Sequence, residues 1–311
     1  MGKTVLLSGG VGASKFAVGL SKATQPGNLT IVSNVGDDED ILGLHVSPDI
    51  DIVTYALAGL VDESKGWGIS GDTFSCDAFL GELGERPWLL LGDRDLAVNL
   101  VRTKMLKEGR KLSEITSSIA AALGVRESII PATDNPLTTM LETDSGPMTF
   151  ERYYVKEGQK PEIAGVTYSG SGFAEPAPGA LEAIEEASMI ILAPSNPVAS
   201  VQPILSVKKV RAAVARSRAF RVAISPIIAG RTLKGPADKM LRALGYEVSP
   251  VGVAEFYDGL LDCMVIDRSD EGLKDGITSL GIKAAVQDTM MSSLESKIRL
   301  ADSVLSLGGT T

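Results

Sequence analysis

Short, wholly apolar runs alternate along the chain with polar, glycine-rich loops and with segments whose apolar residues recur at helical spacing. A strand that is buried on both faces is apolar along its whole length. A surface helix has apolar residues every three to four positions, as the segments between these runs do. The alternation predicts an α/β fold of Rossmann-like type, a mostly parallel sheet with helices on both faces. The runs that we interpret as its strands are residues 4–7, 29–32, 128–132, 189–193, 221–225 and about 262–267.

Residues 146–178 depart from this pattern, because they alternate in polarity, carry aromatic residues and end in a glycine-, serine- and proline-rich tract. We predict a smaller antiparallel and helical insertion at about 110–180 within a single large α/β domain of residues 1–311. A short buried strand is predicted at 88–92, and Ser113 is the predicted N-cap of a helix at 112–123. Other predicted helices are residues 53–60, 93–107, 207–216 and 236–245, with a strand at 137–141.

Composition narrows the classes of function. The chain has 311 residues, 44% of them hydrophobic, and a net charge of −9. Nucleic-acid binding needs a basic face, so we expect no nucleic-acid partner. No apolar run reaches the roughly 20 residues that span a bilayer, and the first residues lack the features of a signal peptide. We therefore expect a cytoplasmic protein with no membrane partner.

Metal and nucleophile chemistry based on cysteine or histidine is poorly supported. Cys76, Cys263 and His45 are the only residues of their types, too few for a structural zinc site and poorly suited to a histidine-based triad. We expect both cysteines to be buried apolar residues. His45 lies between two apolar residues, which favours a structural role and leaves open a role beside a phosphate.

A glycine loop, SGGVGASK at residues 8–15, follows the first predicted strand and opens a helix. It lacks the second glycine of a P-loop, and Lys15 stands where a dinucleotide fingerprint needs a third small residue. Its position still favours phosphate binding by helix N-terminal amides, and the alternative is a tight turn with no ligand. The expected phosphate contacts are Gly10, Val11 and Gly12, and Lys15 is either a further contact or exposed to solvent.

Four aspartates form the second candidate group. Asp37 and Asp38 follow the second strand, and Asp49 and Asp51 lie at the start of the next helix. Carboxylates at these places can converge on one Mg²⁺, which takes few protein carboxylates together with phosphate and water. We expect the metal ligands among these four and the catalytic contribution from Asp37 and Asp51. Helix capping is the alternative for Asp49 and Asp51.

Two further loops carry candidate ligand-binding residues. Trp67 is flanked by glycines, and its indole is either a wall for a planar ring or a loop anchor. Ser195 and Asn196 end the apolar run at 189–193, and an Asn side chain suits recognition of a purine edge. Because ligands gather at the carboxyl ends of parallel strands, we expect these loops to share one rim.

Seven segments occur together in a fixed order, SGGVG (8–12), NVGDD (34–38), GLHVSPDID (43–51), GWG (66–68), LGDRD (91–95), APSNP (193–197) and SPIIAG (225–230). With this set the chain closely resembles the 2-phospho-L-lactate transferases, the CofD family of coenzyme F-420 biosynthesis. The resemblance runs from residue 1 to about residue 265. The set is highly specific, although each segment alone is not.

The resemblance implies a Rossmann-like, magnesium-dependent transferase. Lactyl-2-diphospho-5′-guanosine donates its phospholactyl group to the 5′-hydroxyl of the deazaflavin riboside FO, giving F-420-0 and GMP. Some relatives use a phosphoenolpyruvyl donor. Guanosine diphosphate is then expected along the glycine loop and residues 195–196. The expected polar and ring contacts of FO are Asp62, Trp67, Thr73, Asp93 and Arg94, where Arg94 is alternatively a structural ion-pair partner.

Two alternative functions stay open: another nucleotide-diphosphate-dependent transferase, and a non-catalytic nucleotide-binding regulator of the same fold. The acidic cluster disfavours the regulator, since a guanine sensor has no need of it. The partners that we expect are small molecules (FO, lactyl-diphospho-guanosine, GMP and GDP) and a second copy of the chain in a homodimer.

Overall fold

The computed structural model describes residues 2–63 and 65–309, and in this part of the chain fourteen strands and twelve α-helices are present. The strands are β1 Thr4–Ser8, β2 Leu29–Ser33, β3 Glu39–Ile41, β4 Leu44–Val46, β5 Ser128–Pro131, β6 Thr138–Thr143, β7 Met148–Thr149, β8 Ile163–Ser169, β9 Met189–Leu192, β10 Phe220–Ile224, β11 Ile227–Ile228, β12 Arg231–Thr232, β13 Cys263–Asp267 and β14 Lys283–Gln287. The α-helices are α1 Gly10–Ala23, α2 Pro48–Leu57, α3 Ser75–Glu82, α4 Asp93–Lys107, α5 Leu112–Ala122, α6 Ala180–Glu186, α7 Gln202–Ser206, α8 Lys208–Arg216, α9 Ala237–Ala243, α10 Pro250–Phe256, α11 Lys274–Ser279 and α12 Leu294–Leu307.

The main sheet confirms the predicted Rossmann-like class. Within the described residues it has seven parallel strands in the order β14-β13-β10-β9-β1-β2-β5. From β1 the chain moves outward in one direction to β2 and β5, and it later returns to the other side of β1 as β9. The direction of strand addition therefore reverses between β1 and β9, and in open α/β sheets the crevice beside such a reversal is where ligands bind.

Successive residues of each central strand enter opposite hydrophobic cores. In β1, Val5 and Leu7 pack into one core, and Leu6 packs into the other. The core around Leu6 is covered by α1 and α12, with Phe16 and Leu300 buried in it. The core around Val5 includes residues of α8 and α10 on the opposite face. Because both faces are covered, the central strands read as continuous apolar runs.

The irregular segment predicted at 146–178 contributes to an antiparallel sheet. Here β6 lies between β7 and β8, and both pairings are antiparallel. The edge strand β5 belongs instead to the main parallel sheet. Two small antiparallel pairs, β3 with β4 and β11 with β12, decorate the loops. The single-domain organisation of residues 1–311 stays a prediction.

Three local predictions are wrong. Residues 88–92 form a loop rather than a buried strand; Leu90 is 42% exposed, and Leu91 packs into a small side cluster. Lys111, not Ser113, is the N-cap of α5, because Ser113 bonds to Asp134 through both its amide and its hydroxyl. Cys76 is exposed, whereas the prediction that Cys263 is buried is confirmed.

Helix α2 starts earlier than the predicted helix at 53–60. Pro48 occupies its first turn, where a missing N–H costs nothing. Asp49 and Asp51 thus lie within the first helical turn and not ahead of it. Among the described residues, no helix is both long enough and apolar enough to cross a membrane.

Candidate functional site

The glycine loop and the 193–197 loop meet at the reversal between β1 and β9. A Cβ atom on Gly12 would lie only 2.1 Å from the carbonyl oxygen of Pro194 and 3.6 Å from the Cα of Ser195. Only glycine permits this approach. The structure therefore brings together two of the predicted nucleotide-binding segments, at the place where the topology favours a ligand.

The start of α1 packs directly against a carboxylate of α2. Gly10 has a φ of +72°, a backbone conformation that favours glycine. Its amide donates a hydrogen bond of 2.7 Å to Asp49 Oδ1. A Cβ on the preceding residue, Gly9, would lie 2.6 Å from Asp49 Oδ2. Because the first amides of a helix have no intrahelical acceptor, this end of α1 is a positive region that Asp49 partly satisfies.

Asn34 holds two buried aspartates together. Its Nδ2 donates to Asp49 Oδ2 at 2.8 Å and to Asp37 Oδ2 at 3.2 Å. It also donates to the carbonyl of Ala199 at 3.1 Å, which ties the pair to the loop after β9. In the part of the chain that the structure describes, Asp37 Oδ1 is buried and has no hydrogen-bond partner.

Burial makes ionisation of this pair costly. It raises the pKa of Asp49 to about 6, against which the hydrogen bonds from Asn34 and Gly10 act. Burial and the neighbouring Asp49 carboxylate raise the pKa of Asp37 as well. The pKa of Glu151 rises to about 8, through burial and then through repulsion by Asp49 and Glu39. No Lys or Arg of the described residues forms an ion pair with Asp37 or Asp49, so a bound cation would relieve this repulsion.

The other two predicted metal ligands are engaged within the protein. Asp38 Oδ2 accepts one hydrogen bond from Ser47 Oγ, at 2.9 Å. It also forms a hydrogen bond with His45 Nε2, at 2.9 Å. Asp51 forms an ion pair with Arg102, whose side chain is buried in α4. The four aspartates therefore divide into one pair without a cationic partner and two residues that are already held.

A magnesium ion fits the unneutralised pair. Across residues 2–63 and 65–309, no three His, Cys, Asp or Glu side chains converge so as to hold a metal ion. Mg²⁺ does not require a protein cage, since it is usually held by one or two carboxylates together with substrate phosphates and water. Within the described residues, Asp38 Oδ1 and Asp51 Oδ2 are buried without a hydrogen-bond partner, as Asp37 Oδ1 is. Asp37 and Asp49 supply that donor set because, unlike Asp38 and Asp51, neither of them pairs with His45 or Arg102.

The two candidate nucleoside contacts, Ser195 and Asn196, differ in whether their side chains already form hydrogen bonds within the protein. Asn196 is an N-cap, and its side-chain oxygen accepts from the amides of Val198 and Ala199 at 3.0 and 3.2 Å. Recognition of a purine edge by that oxygen would compete with the cap. Ser195 is buried, and its hydroxyl has no hydrogen-bond partner within the described chain. It is the freer polar group at this end of β9.

The predicted acceptor-binding residues lie on a loop that is folded by its own side chains. Asp93 accepts hydrogen bonds from the Thr73 hydroxyl and from the amides of Ser75 and Cys76, at the start of α3. Asp72 reciprocally accepts from the amides of Arg94 and Asp95 in α4. Thr73 and Asp93 thus hold this loop in place, and their contact with an acceptor stays a prediction.

Trp67 lies close to the glycine loop. A Cβ on its neighbour Gly66 would lie 3.8 Å from Val11 Cγ1. The Trp67 side chain is 44% exposed, and the ammonium of Lys65 lies 5.7 Å from the centre of its ring. Asp62 forms an ion pair of 3.6 Å with Lys65. An exposed indole beside the phosphate-binding turn is available to a planar ligand.

Sequence reasoning missed four residues at this site. Asn34 had a usable signal, because it directly follows β2 within the quoted NVGDD segment. Glu151 comes from the start of a π-helical turn, Arg152–Lys156, after β7. Lys234 and Lys297 lie beside Lys15, in segments far away along the chain. The spacing of these last three residues carries no signal that would have placed them here.

Fold and site together define a class: a Rossmann-like α/β protein with a glycine-rich helix start and a buried carboxylate pair at the switch point. The family described as 2-phospho-L-lactate transferase CofD matches residues 4–300. The chain belongs to this family, and the predicted resemblance is confirmed. Membership supports a transferase activity.

Individual relatives agree along their full lengths. A 2-phospho-L-lactate transferase of Methanosarcina acetivorans is 37% identical over 98% of this chain and 99% of its own. A phosphoenolpyruvate transferase of Streptomyces griseus is also 37% identical, over 98% of each chain. A solved structure from Bacillus halodurans, a member of the UPF0052 family, has a TM-score of 0.68 over 98% of this chain and 99% of its own. At 18% identity, that structure supports the fold alone.

Proposed function

We propose that this chain transfers the phospholactyl group of lactyl-2-diphospho-5′-guanosine to the 5′-hydroxyl of FO, releasing GMP and F-420-0. Family membership supports the reaction type. The observation that carries the proposal is the Asp37–Asn34–Asp49 arrangement against the first amide of α1. It sets a cation-type pocket beside a phosphate-type one, as a diphosphate donor requires.

In this proposal the diphosphate lies along the start of α1. The amides of Val11 and Gly12 lie in the first turn, where helix geometry provides no acceptor, and the helix dipole favours a negative charge there. Ser195, which packs next to Gly12, faces the nucleoside side. Asn196 contributes mainly by holding the turn at Pro197–Val201, since its oxygen caps that turn.

Asp37 and Asp49 are the proposed Mg²⁺ ligands. When bound there, the ion would neutralise charge on the diphosphate and on the departing GMP. Asn34 keeps the two carboxylates in register, while the His45 and Ser47 contacts hold Asp38 behind them. Asp51, through Arg102, fixes the first turn of α2 and thereby positions Asp49.

Direct in-line transfer follows from the groups on hand. The acceptor hydroxyl oxygen forms a bond to the phosphorus that carries lactate, the bond from that phosphorus to the bridging oxygen breaks, and GMP leaves with the electron pair. The hydroxyl proton passes to a carboxylate of the acidic cluster. Cys263 is buried with a pKa raised to about 11 by burial, which makes it a poor nucleophile. A donor chiral at the transferred phosphorus should give inverted product, and retention would instead demand a covalent intermediate.

The acceptor is proposed to pack on Trp67, with Asp62 and Arg94 nearby. A planar tricycle needs an apolar or aromatic wall and a few placed hydrogen bonds. Replacing Trp67 by Ala should weaken FO binding by roughly 5- to 10-fold, the value of one aromatic contact. An unchanged affinity, measured by deazaflavin fluorescence, would make the indole a loop anchor.

A phosphoenolpyruvyl donor is the second candidate, because the relative of that name is as similar as the phospholactate transferase. The decisive experiment is a turnover assay with FO and each guanosine donor in turn, with Mg²⁺ or with EDTA. Formation of GMP together with the deazaflavin phosphodiester is expected only with Mg²⁺. Absence of transfer from both donors would contradict the proposed function, and the ratio of kcat/KM for the two donors identifies the preferred one.

A further inference from the structure

A basic cluster borders α1 at Val11, next to Gly10, the residue whose amide bonds to Asp49. Val11, Lys15 and Gly19 are spaced four residues apart along α1, so they share one face of the helix. At the first of these positions a Cβ on Gly66 would lie 3.8 Å from Val11 Cγ1 and 3.3 Å from Lys234 Nζ. At the last, a Cβ on Gly19 would lie 2.2 Å from the backbone carbonyl of Lys297. Three lysines from separate parts of the chain therefore border this face.

The charge of this cluster is poorly balanced. Lys297 is only 5% exposed, and its Nζ donates to Glu63 at 2.9 Å. Among residues 2–63 and 65–309, the hydrogen bond that Lys234 Nζ donates goes to the carbonyl of Lys65, at 3.1 Å. Over the described residues, neither Lys15 nor Lys234 has an ion-pair partner. Two ammonium groups thus stand beside a helix start that is itself positive.

The charges of these lysines act on one another. Burial lowers the pKa of Lys15, and repulsion by Lys234 and Lys297 lowers it further, while Glu63 acts weakly in the opposite direction. Like charges held together in this way are unfavourable unless an anion joins them. The arrangement is that of an anion-binding site to which Asp37 and Asp49, being acidic, do not contribute.

The proposed donor carries two anionic parts, a diphosphate and, one carbon from the ester oxygen, a carboxylate. In the proposed function, the helix amides and a cation bound by Asp37 and Asp49 would neutralise the diphosphate. The carboxylate would have no partner beside Asp37 and Asp49, since these side chains and their neighbour Glu151 are themselves acidic. We infer that Lys234 and Lys15 bind the carboxylate of the transferred acid, so that this lysine pair selects donors whose phosphoryl group carries an acid substituent. The inference rests on the proposed function.

A matched pair of ligands isolates this carboxylate. Lactyl-2-diphospho-5′-guanosine and guanosine 5′-diphosphate β-ethyl ester differ only in that carboxylate. Affinities are measured by calorimetry with Mg²⁺ and without FO. Lys234→Met should weaken binding of the lactyl ligand by about 10- to 100-fold, which is the contribution of a hydrogen bond to a charged group. Its effect on the ethyl ester should stay within about 3-fold, because no such bond is lost there. Lys15→Met should shift binding in the same direction.

Two control variants complete the experiment. Lys234→Arg keeps the charge and should retain most of the discrimination, and Lys22→Met changes an exposed lysine in the last turn of the same helix and should change neither affinity. Equal weakening of both ligands by Lys234→Met would mean that the lysine binds the diphosphate, and no weakening would remove it from the site. Either result overturns the inference alone. A wild-type chain that binds neither ligand overturns the proposed function and the inference with it.

Discussion

Asp49 and Asp51 occupy the same helical turn, are equally buried and are two residues apart, yet their surroundings are opposite. Asp51 meets the guanidinium of Arg102, which is 1% exposed. Asp49 meets an amide, an asparagine and a second aspartate. One carboxylate has an internal cation, and the other shares its pocket with a like charge.

The difference distinguishes scaffold from site. A buried carboxylate that already pairs with an internal cation has less need of a bound cation, and its ion pair positions the helix. Two buried carboxylates without a cation are stable only if protonated or if a cation is supplied from outside. We therefore propose Asp37 and Asp49, and not Asp38 and Asp51, as the direct metal ligands.

The largest effect is expected from breaking the scaffold pair. Arg102→Met leaves Asp51 as an unpaired buried charge, so the free energy of unfolding should fall by about 3–5 kcal/mol. Urea denaturation monitored by circular dichroism measures the change. The double variant Arg102→Met with Asp51→Leu should regain a large part of it, because no charge is then left unpaired. A loss below roughly 1 kcal/mol in the single variant, the range of exposed pairs, would place Asp51 outside the scaffold.

Removing one carboxylate of the proposed metal site should lower the turnover rate and leave the free energy of unfolding largely unchanged. Asp37→Asn should lower kcat by at least about 100-fold, as the loss of a preorganised charge at a phosphoryl site does. The free energy of unfolding should stay the same or rise, because repulsion with Asp49 is removed. Asp40→Asn, an exposed change three residues further along, is the matched control. Near-normal turnover of the Asp37 variant would remove the acidic pair from the mechanism.

Magnesium should stabilise the site and leave the scaffold unaffected. At 100 times its dissociation constant, Mg²⁺ should raise the free energy of unfolding by about 2.7 kcal/mol. The shift should vanish in the variant Asp37→Asn with Asp49→Asn, and it should reverse on addition of EDTA. A shift that persists in that variant would mean that the ion binds elsewhere.

The smallest effect is expected at an exposed counterpart of the scaffold pair. Burial alone would raise the pKa of Asp262, but hydrogen bonds from Arg221 bring it below its usual range. A lowered native pKa gives stability above the unfolded-state value, near pH 3.9, that is lost as the pH falls through the native value. Asp262→Asn should cost at most about 1 kcal/mol at pH 7, because the pair is partly exposed. This cost should shrink as the pH falls below about 3.9, and denaturation over a series of pH values from 7 downward tests it.

The strands of the sheet and the loops at their ends could be predicted from the sequence, because both depend on residues that are close together along the chain. The apolar runs that became β1, β2, β9 and β10 lie almost at their predicted bounds. Residues 88–92 show the limit of this approach: an apolar run also results when a loop packs into a small side cluster, and pattern alone does not separate the two. Ser113 is not the N-cap that its sequence position predicts, because its amide donates to Asp134, which lies 21 residues further along the chain.

The set of elements and the polar groups that follow each strand can be read from the sequence alone, because strand period, glycine turns and strand-end loops are encoded by neighbouring residues. Which charges meet depends on the tertiary fold. It assigned Arg102 to Asp51, left Asp37 and Asp49 together, and brought Lys15, Lys234 and Lys297 to one face of α1. The reason is physical: the pKa and the partner of a buried charge depend on atoms a few ångströms away, whatever their separation along the chain.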